Sequence, residues 1–155
     1  MKIFDCFMYF DEAVVLDVRL NVLNDYVDYF VIVESKFTHK GDKRDLKFNP
    51  DKFKKFKDKI IYLVYDEVPS KVKEVKPEYN EDDKSGHYIL NAAYRENGQR
   101  NYIYEGLTKA NDEDLILISD VDEIPNLPAT NIKNIKQKII LFKQDMFYYK
   151  FNLTI

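Results

Sequence analysis

The sequence predicts an α/β fold with a mainly parallel central sheet flanked by helices. Three observations carry that prediction: short apolar runs at residues 2–9, 29–34, 60–65 and 115–118, helical or mixed stretches between them, and carboxylates just past several runs. Parallel neighbours need crossover connections, which intervening helices supply. Ligands of such sheets bind beyond the carboxyl ends of the strands. Glu34, Asp66, Asp120 and Asp122 all fall at such ends.

The first run, KIFDCFMY at 2–9, is apolar and aromatic, the pattern of a buried strand. Asp11 is placed to cap a helix in which Leu16, Leu20, Leu23 and Val27 recur at helical spacing, with Asp17, Asn21 and Asn24 on another face. The run YFVIVE at 29–34 is rich in β-branched residues, as a strand covered on both faces requires. Residues 35–42 read as a loop, Phe53, Phe56 and Ile60 mark a short helix or turn among lysines, and IIYLVY at 60–65 is a third strand. The lysine run from 52 to 59 reads as a solvated face.

Residues 66–86 are polar, carry Pro69, Pro77 and Gly86, and lack periodicity, so they are expected to form a long surface loop or lid. From His87 to Ala110 the pattern is helical with an interruption at Gly98, and Ile103, Leu107 and Ala110 share one stripe. Asp114 leads into a fourth strand, and a last apolar run covers 139–142 and resumes at 146–149. No internal repeat or second domain is apparent, so residues 1–155 read as a single domain.

Composition narrows the function classes. At 155 residues, with 45% hydrophobic and 33% charged residues, the chain is long enough to bury a core and too apolar for disorder. A net charge of −3 provides no positive field for a nucleic-acid backbone. Cys6 has no disulfide partner within the chain and reads as a small buried hydrophobe. Asp5 interrupts what would be a signal peptide, and no apolar run of membrane-spanning length occurs, so no membrane anchor and a cytoplasmic location are expected.

The chemistry centres on Ser119-Asp120-Val121-Asp122-Glu123-Ile124-Pro125. In an extended segment residues i and i+2 point the same way, so Asp120 and Asp122 would present paired carboxylates. A divalent ion of hard-oxygen preference, Mn²⁺ or Mg²⁺, relieves their repulsion and takes substrate phosphates into its shell. Capping or turn formation explains an isolated D-x-D equally well. Here four apolar residues precede the motif and Glu123 adds a third carboxylate. Pro125 stands where an EF-hand loop requires glycine.

The stretch from Asp11 to Gly41, with Asp28-Tyr29-Phe30-Val31-Ile32-Val33-Glu34-Ser35 and Phe37-Thr38-His39, resembles glycosyltransferase family 17. So does Arg95-Glu96-Asn97-Gly98-Gln99-Arg100-Asn101 followed by ISDVDEIP, in the same order. The family includes a transferase that adds bisecting N-acetylglucosamine to the core mannose of N-glycans. The resemblance implies a GT-A-like nucleotide-sugar-binding domain, a UDP-sugar donor, UDP-N-acetylglucosamine first among them, Mn²⁺ or Mg²⁺ dependence, and inverting transfer to a glycan hydroxyl. It further implies Asp122 as principal metal ligand, Asp120 on metal or ribose, and Glu34 against the nucleoside. Arg100 and Asn101 match an Arg-Asn pair on the helix before the metal strand. Phe37 and His39 are candidate linings of the nucleoside pocket.

For each of these a plainer reading stands beside the functional one: a strand-end carboxylate facing water for Glu34, an exposed helix arginine for Arg100. Family catalytic regions run beyond this chain's last residue, so part of the C-terminal acceptor region is expected to be missing. Asp145, the sole acidic residue after Glu123, is the candidate general base. Two other functions compete. A non-catalytic UDP-sugar-binding module fits the short tail. A haloacid-dehalogenase-type phosphohydrolase also uses D-x-D, but after its first strand and with Thr or Val where this chain has Ile124.

Overall fold

The computed structural model describes residues 1–135, 137–145 and 147. The chain packs as two compact units, Met1–Asp122 and Glu123–Ile155. The first contains strands β1 (Ile3–Tyr9), β2 (Tyr29–Ser35), β3 (Ile60–Tyr65) and β4 (Leu115–Ser119), and helices α1 (Ala13–Leu23) and α2 (Glu81–Asn101). The strands form one four-stranded sheet in the order β3-β2-β1-β4, and every pairing is parallel. The expected α/β architecture is therefore the observed one. Because β1 leads to β2 and β3 on one side while β4 returns to the other, the chain reverses its direction of addition between β1 and β4. That reversal is the switch point where α/β sheets open a ligand crevice at their carboxyl ends.

The central strands are buried on both faces, which explains their continuous apolar character. On one face Phe4, Cys6, Val31 and Val33 pack with Tyr65 and Ile103. The end of α2 and a 3₁₀ turn at Tyr102–Gly106 cover this face. Gln99 Nε2 donates to the Val33 carbonyl at 2.8 Å. The opposite face carries α1, whose Leu16, Leu20 and Leu23 are fully buried. Burying each of these leucines contributes on the order of 1.5–3 kcal/mol.

Local chemistry shifts several boundaries. Helix α1 begins after Glu12, not Asp11, and Glu12 Oε2 accepts from the Phe10 and Asp11 amides at 3.0 and 3.1 Å. Helix α2 starts earlier than its apolar pattern suggests and ends before the expected Ala110. The Asn80 side chain caps the Asp83 amide at 2.8 Å, and Glu81, Asp82 and Asp83 lie in the first turn, where acids suit the helix dipole. The polar stretch 66–86 is thus part helix. Its remainder is pinned: Asn91 accepts from the Lys73 amide at 2.9 Å and donates to the Lys73 carbonyl at 2.6 Å. Gly98 does not break the helix. A Cβ there would run into Tyr65 Oη and Pro69, so glycine permits close packing.

The second unit has 3₁₀ turns at Leu127–Ala129 and Ile132–Asn134. The apolar run at 139–142 forms no strand, with Ile139 81% and Leu141 90% exposed. Of its resumption at 146–149, only Phe147 lies among the described residues. Among the described residues no helix is long and apolar enough to cross a membrane.

Candidate functional site

Strand β4 pairs with β1 as far as Ser119 opposite Phe7. Beyond Ser119 the chain leaves the sheet and turns at Val121 and Asp122. The extended alternation expected for Asp120 and Asp122 therefore does not apply. Both are nevertheless exposed, and both follow the carboxyl end of β4 at the β1/β4 switch point.

Two arginines hold this turn, one from each helix layer. Arg100 Nη2, on α2, lies 2.9 Å from Asp120 Oδ1 and 3.2 Å from Glu96 Oε1. Burial works against the charge on Arg100, but the hydrogen bonds it donates to Asp120 and Glu96, with their negative charges, outweigh it and raise its pKa above the ordinary arginine value. Asn101, beside it, is exposed at the last residue of α2.

Arg19, on α1, is fully buried. Its Nε and Nη2 form a fork on Asp5, at 2.8 Å to Oδ2 and 2.7 Å to Oδ1. Nη1 donates to the carbonyls of Asp120 at 2.7 Å and Val121 at 3.1 Å, and Nη2 donates to Ser119 Oγ at 2.7 Å. Its guanidinium also stacks 4.5 Å from the Phe7 ring centroid. Sequence reasoning missed Arg19 and Asp5, although each left a signal. Arg19 sits inside the Leu16, Leu20, Leu23 stripe, and Asp5 sits inside an apolar strand, so each needed a buried counterion.

Glu34 lies at the end of β2 and turns into the protein. It is fully buried, and its oxygens accept from the Lys47 amide at 2.6 Å, the Phe48 amide at 3.0 Å and Tyr62 Oη at 2.7 Å. Arg44 Nη2 completes the set at 3.1 Å from Oε1. A carboxylate so engaged does not face water, and it anchors the 44–48 segment. Arg44 also donates to the carbonyls of Ser35 and Phe10 and stacks 4.0 Å over the Phe10 ring, tying the ends of β1 and β2 together. Burial, then the hydrogen bond to Glu34, pushes the Tyr62 phenol well above the ordinary tyrosine range.

The loop after β2 is likewise internally braced. Phe37 bridges to Lys43, and Gly41 adopts φ 102°, a conformation favouring glycine. Arg95 Nη1 donates to the His39 carbonyl at 3.0 Å, and its guanidinium lies where a Cβ on Gly41 would stand. Asp66 pairs with exposed Lys36 at 2.5 Å. Asp145 is exposed in the second unit. Cys6 is buried as expected, and burial raises its thiol pKa far above the usual range, with Asp5 adding to the effect and Arg19 opposing it.

Among the described residues no three or more His, Cys, Asp or Glu side chains are grouped to hold an ion by themselves. Mg²⁺ is commonly held by one or two carboxylates, with phosphates and water supplying its remaining oxygens, so a site built on Asp120 and Asp122 would need no third protein carboxylate. Cavities of about 260 Å³ beside Phe48, Phe53 and Tyr62 and about 350 Å³ beside Tyr104 and Ile116 include neither carboxylate. The candidate site is defined by the charged turn, not by a closed cavity.

The sequence profile of glycosyltransferase family 17 matches residues 1–154. The chain is 31% identical over 118 residues to the β-1,4-mannosyl-glycoprotein 4-β-N-acetylglucosaminyltransferase of Homo sapiens, covering 74% of this chain and 20% of that protein. The same-named proteins of Rattus norvegicus and Mus musculus match at 31% and 30% identity with the same coverage. The chain thus matches about a fifth of the length of these relatives, at 20% coverage. No solved structure matches it.

Proposed function

Because the chain belongs to glycosyltransferase family 17, we propose that it binds a UDP-sugar, UDP-N-acetylglucosamine first among candidates, with Mn²⁺ or Mg²⁺, for inverting transfer to a glycan hydroxyl. The observation that carries this reading is the exposed Asp120/Asp122 turn at the sheet's switch point, with the Arg100 guanidinium 2.9 Å from Asp120. Asp122 is the principal holder of the ion, and Asp120 shares it or meets the ribose. The bound ion would neutralise charge developing on the leaving diphosphate.

Arg100 is placed to exchange part of its carboxylate contact for a phosphate oxygen, a role that suits its forked guanidinium. Asn101, exposed at the helix end, offers an amide beside it. Glu34, which fixes the 44–48 segment, is the proposed acidic residue on the nucleoside side of the donor site. Asp145 is the proposed base for the acceptor hydroxyl, and Asp145→Asn should remove transfer while leaving donor binding intact.

The test is calorimetry with UDP, with and without Mn²⁺, alongside donor hydrolysis, on the wild type and Asp122→Ala. The expected result is metal-stimulated binding that Asp122→Ala loses. Full metal-dependent activity in that variant would remove the assignment. Binding without turnover on any glycan acceptor would make the chain a UDP-sugar-binding module.

A further inference from the structure

We propose that Arg19 is a positioning residue for the metal-binding turn. Its buried guanidinium, clamped by Asp5, fixes the main chain between Ser119 and Asp122 so that the flanking carboxylates are presented in one geometry. This rests on the donor-site reading above, but its structural half can be tested without any ligand.

Core packing alone does not account for the Asp5–Arg19 pair. Both side chains are 0% exposed, and exchanging a buried ion pair for apolar residues of similar volume is often neutral or stabilising. What an apolar replacement cannot do is supply donors to the turn. Pairing of β4 with β1 ends at Ser119, so the carbonyls of Asp120 and Val121 lie beyond the ladder that would otherwise satisfy them. Arg19 Nη1 reaches both, at 2.7 and 3.1 Å, and Nη2 reaches Ser119 Oγ at 2.7 Å.

The fork geometry makes arginine necessary. Nε and Nη2 grip Asp5 while Nη1 grips the turn, and a lysine ammonium cannot span both places. Arg19 thereby links the centre of β1 to the backbone of the turn. Arg100 holds the Asp120 side chain from the other helix layer, at 31% exposure. The two arginines divide the work: one rigid and buried on the main chain, one accessible on the carboxylate. Residues that orient metal ligands through such contacts typically carry effects of about 10–100-fold on affinity or activity.

The experiment uses Arg19→Lys and the neutral double variant Asp5→Asn/Arg19→Gln, each checked for cooperative thermal unfolding. Amide hydrogen exchange is measured on the ligand-free protein, and Mn²⁺ binding in the presence of UDP is followed by electron paramagnetic resonance. The expected result is faster exchange at 119–122 with β2 unchanged, Mn²⁺ affinity reduced about 10–100-fold, and metal-free UDP affinity unaltered. A folded variant with native exchange at 119–122 and native Mn²⁺ affinity overturns the proposal. So does the failure of both variants to fold, which would make Arg19 a core residue only. If the wild type binds no Mn²⁺ with UDP, the metal reading falls by itself, and exchange at 119–122 decides the role of Arg19.

Discussion

The Arg100 guanidinium stands 2.9 Å from Asp120 Oδ1, joining the last turn of α2 to the turn after β4. The pair is partly exposed, at 31% and 53%, so solvent screens it and its contribution to stability is at most about 1 kcal/mol. A diphosphate arriving at the same place would meet a cation already held in position. Arg100→Met is therefore expected to leave urea unfolding almost unchanged while weakening UDP binding with Mn²⁺. Losing a charge-assisted hydrogen bond of about 1.5–3 kcal/mol corresponds to roughly 10- to 100-fold in affinity. Native affinity in a folded Arg100→Met protein would refute the phosphate role.

The buried counterpart behaves oppositely. Asp5 and Arg19 are both inaccessible, so removing one partner strands the other charge in the core, at a cost of about 3–5 kcal/mol. Asp5→Ala should lower the unfolding free energy measured in urea by that amount, with Asp5→Asn intermediate because its amide oxygen still accepts from the guanidinium. An unfolding free energy within about 1 kcal/mol of the wild type would show that the pair is not energetically coupled to the core.

These arginines also show what sequence could and could not reveal. Strands β1 to β4 were legible because each is a short apolar run, and the D-x-D turn because it follows one directly. The start of α2 was not, since residues 81–86 are polar and the signal is a cap, Asn80 with three following acids, not an apolar stripe. Glu34 was located correctly at a strand end, but which way its carboxylate turns depends on the 44–48 segment folding back over β2 and β3. Nothing in local spacing specifies that contact. Asp5 and Arg19 are fourteen residues apart, a separation of 14 that neither strand nor helix periodicity connects.

The Glu34–Tyr62 contact carries a pH dependence. Burial, the hydrogen bond to Glu34 and its charge hold the folded Tyr62 phenol protonated well above the ordinary range. An unfolded tyrosine ionises near about pH 10. A folded pKa raised above the unfolded value contributes stability that is complete below about pH 10 and is lost as pH rises toward the folded pKa. Tyr9 and Tyr65 are raised as well, chiefly by burial. Urea midpoints should fall between about pH 9.5 and 11.5, and Tyr62→Phe should reduce the slope without abolishing it. An unchanged slope would mean that Tyr62 does not contribute.

Three glycines of the first unit separate crowding from chain entropy. Gly86 lies inside α2 with nothing within 4 Å of an added Cβ. Gly86→Ala should stabilise by about 0.5–1 kcal/mol, because alanine loses less backbone freedom in a helix. Gly98 lies in the same helix, but its Cβ would meet Tyr65 Oη and Pro69 Cγ, the latter at 3.0 Å. At Gly106 the Cβ would collide with Val31 Cγ1 and stand 3.2 Å from Leu63 Cδ1, both on the sheet. Overpacking of this kind costs about 1–3 kcal/mol. Gly106→Ala should fall at the upper end, since Val31 is fully buried and cannot move aside. Gly98→Ala should cost less, because a tyrosine ring can tilt. Thermal unfolding of the three variants should therefore rank Gly86→Ala above wild type, then Gly98→Ala, then Gly106→Ala, and a stable Gly106→Ala would contradict the close approach of the 102–106 turn to β2.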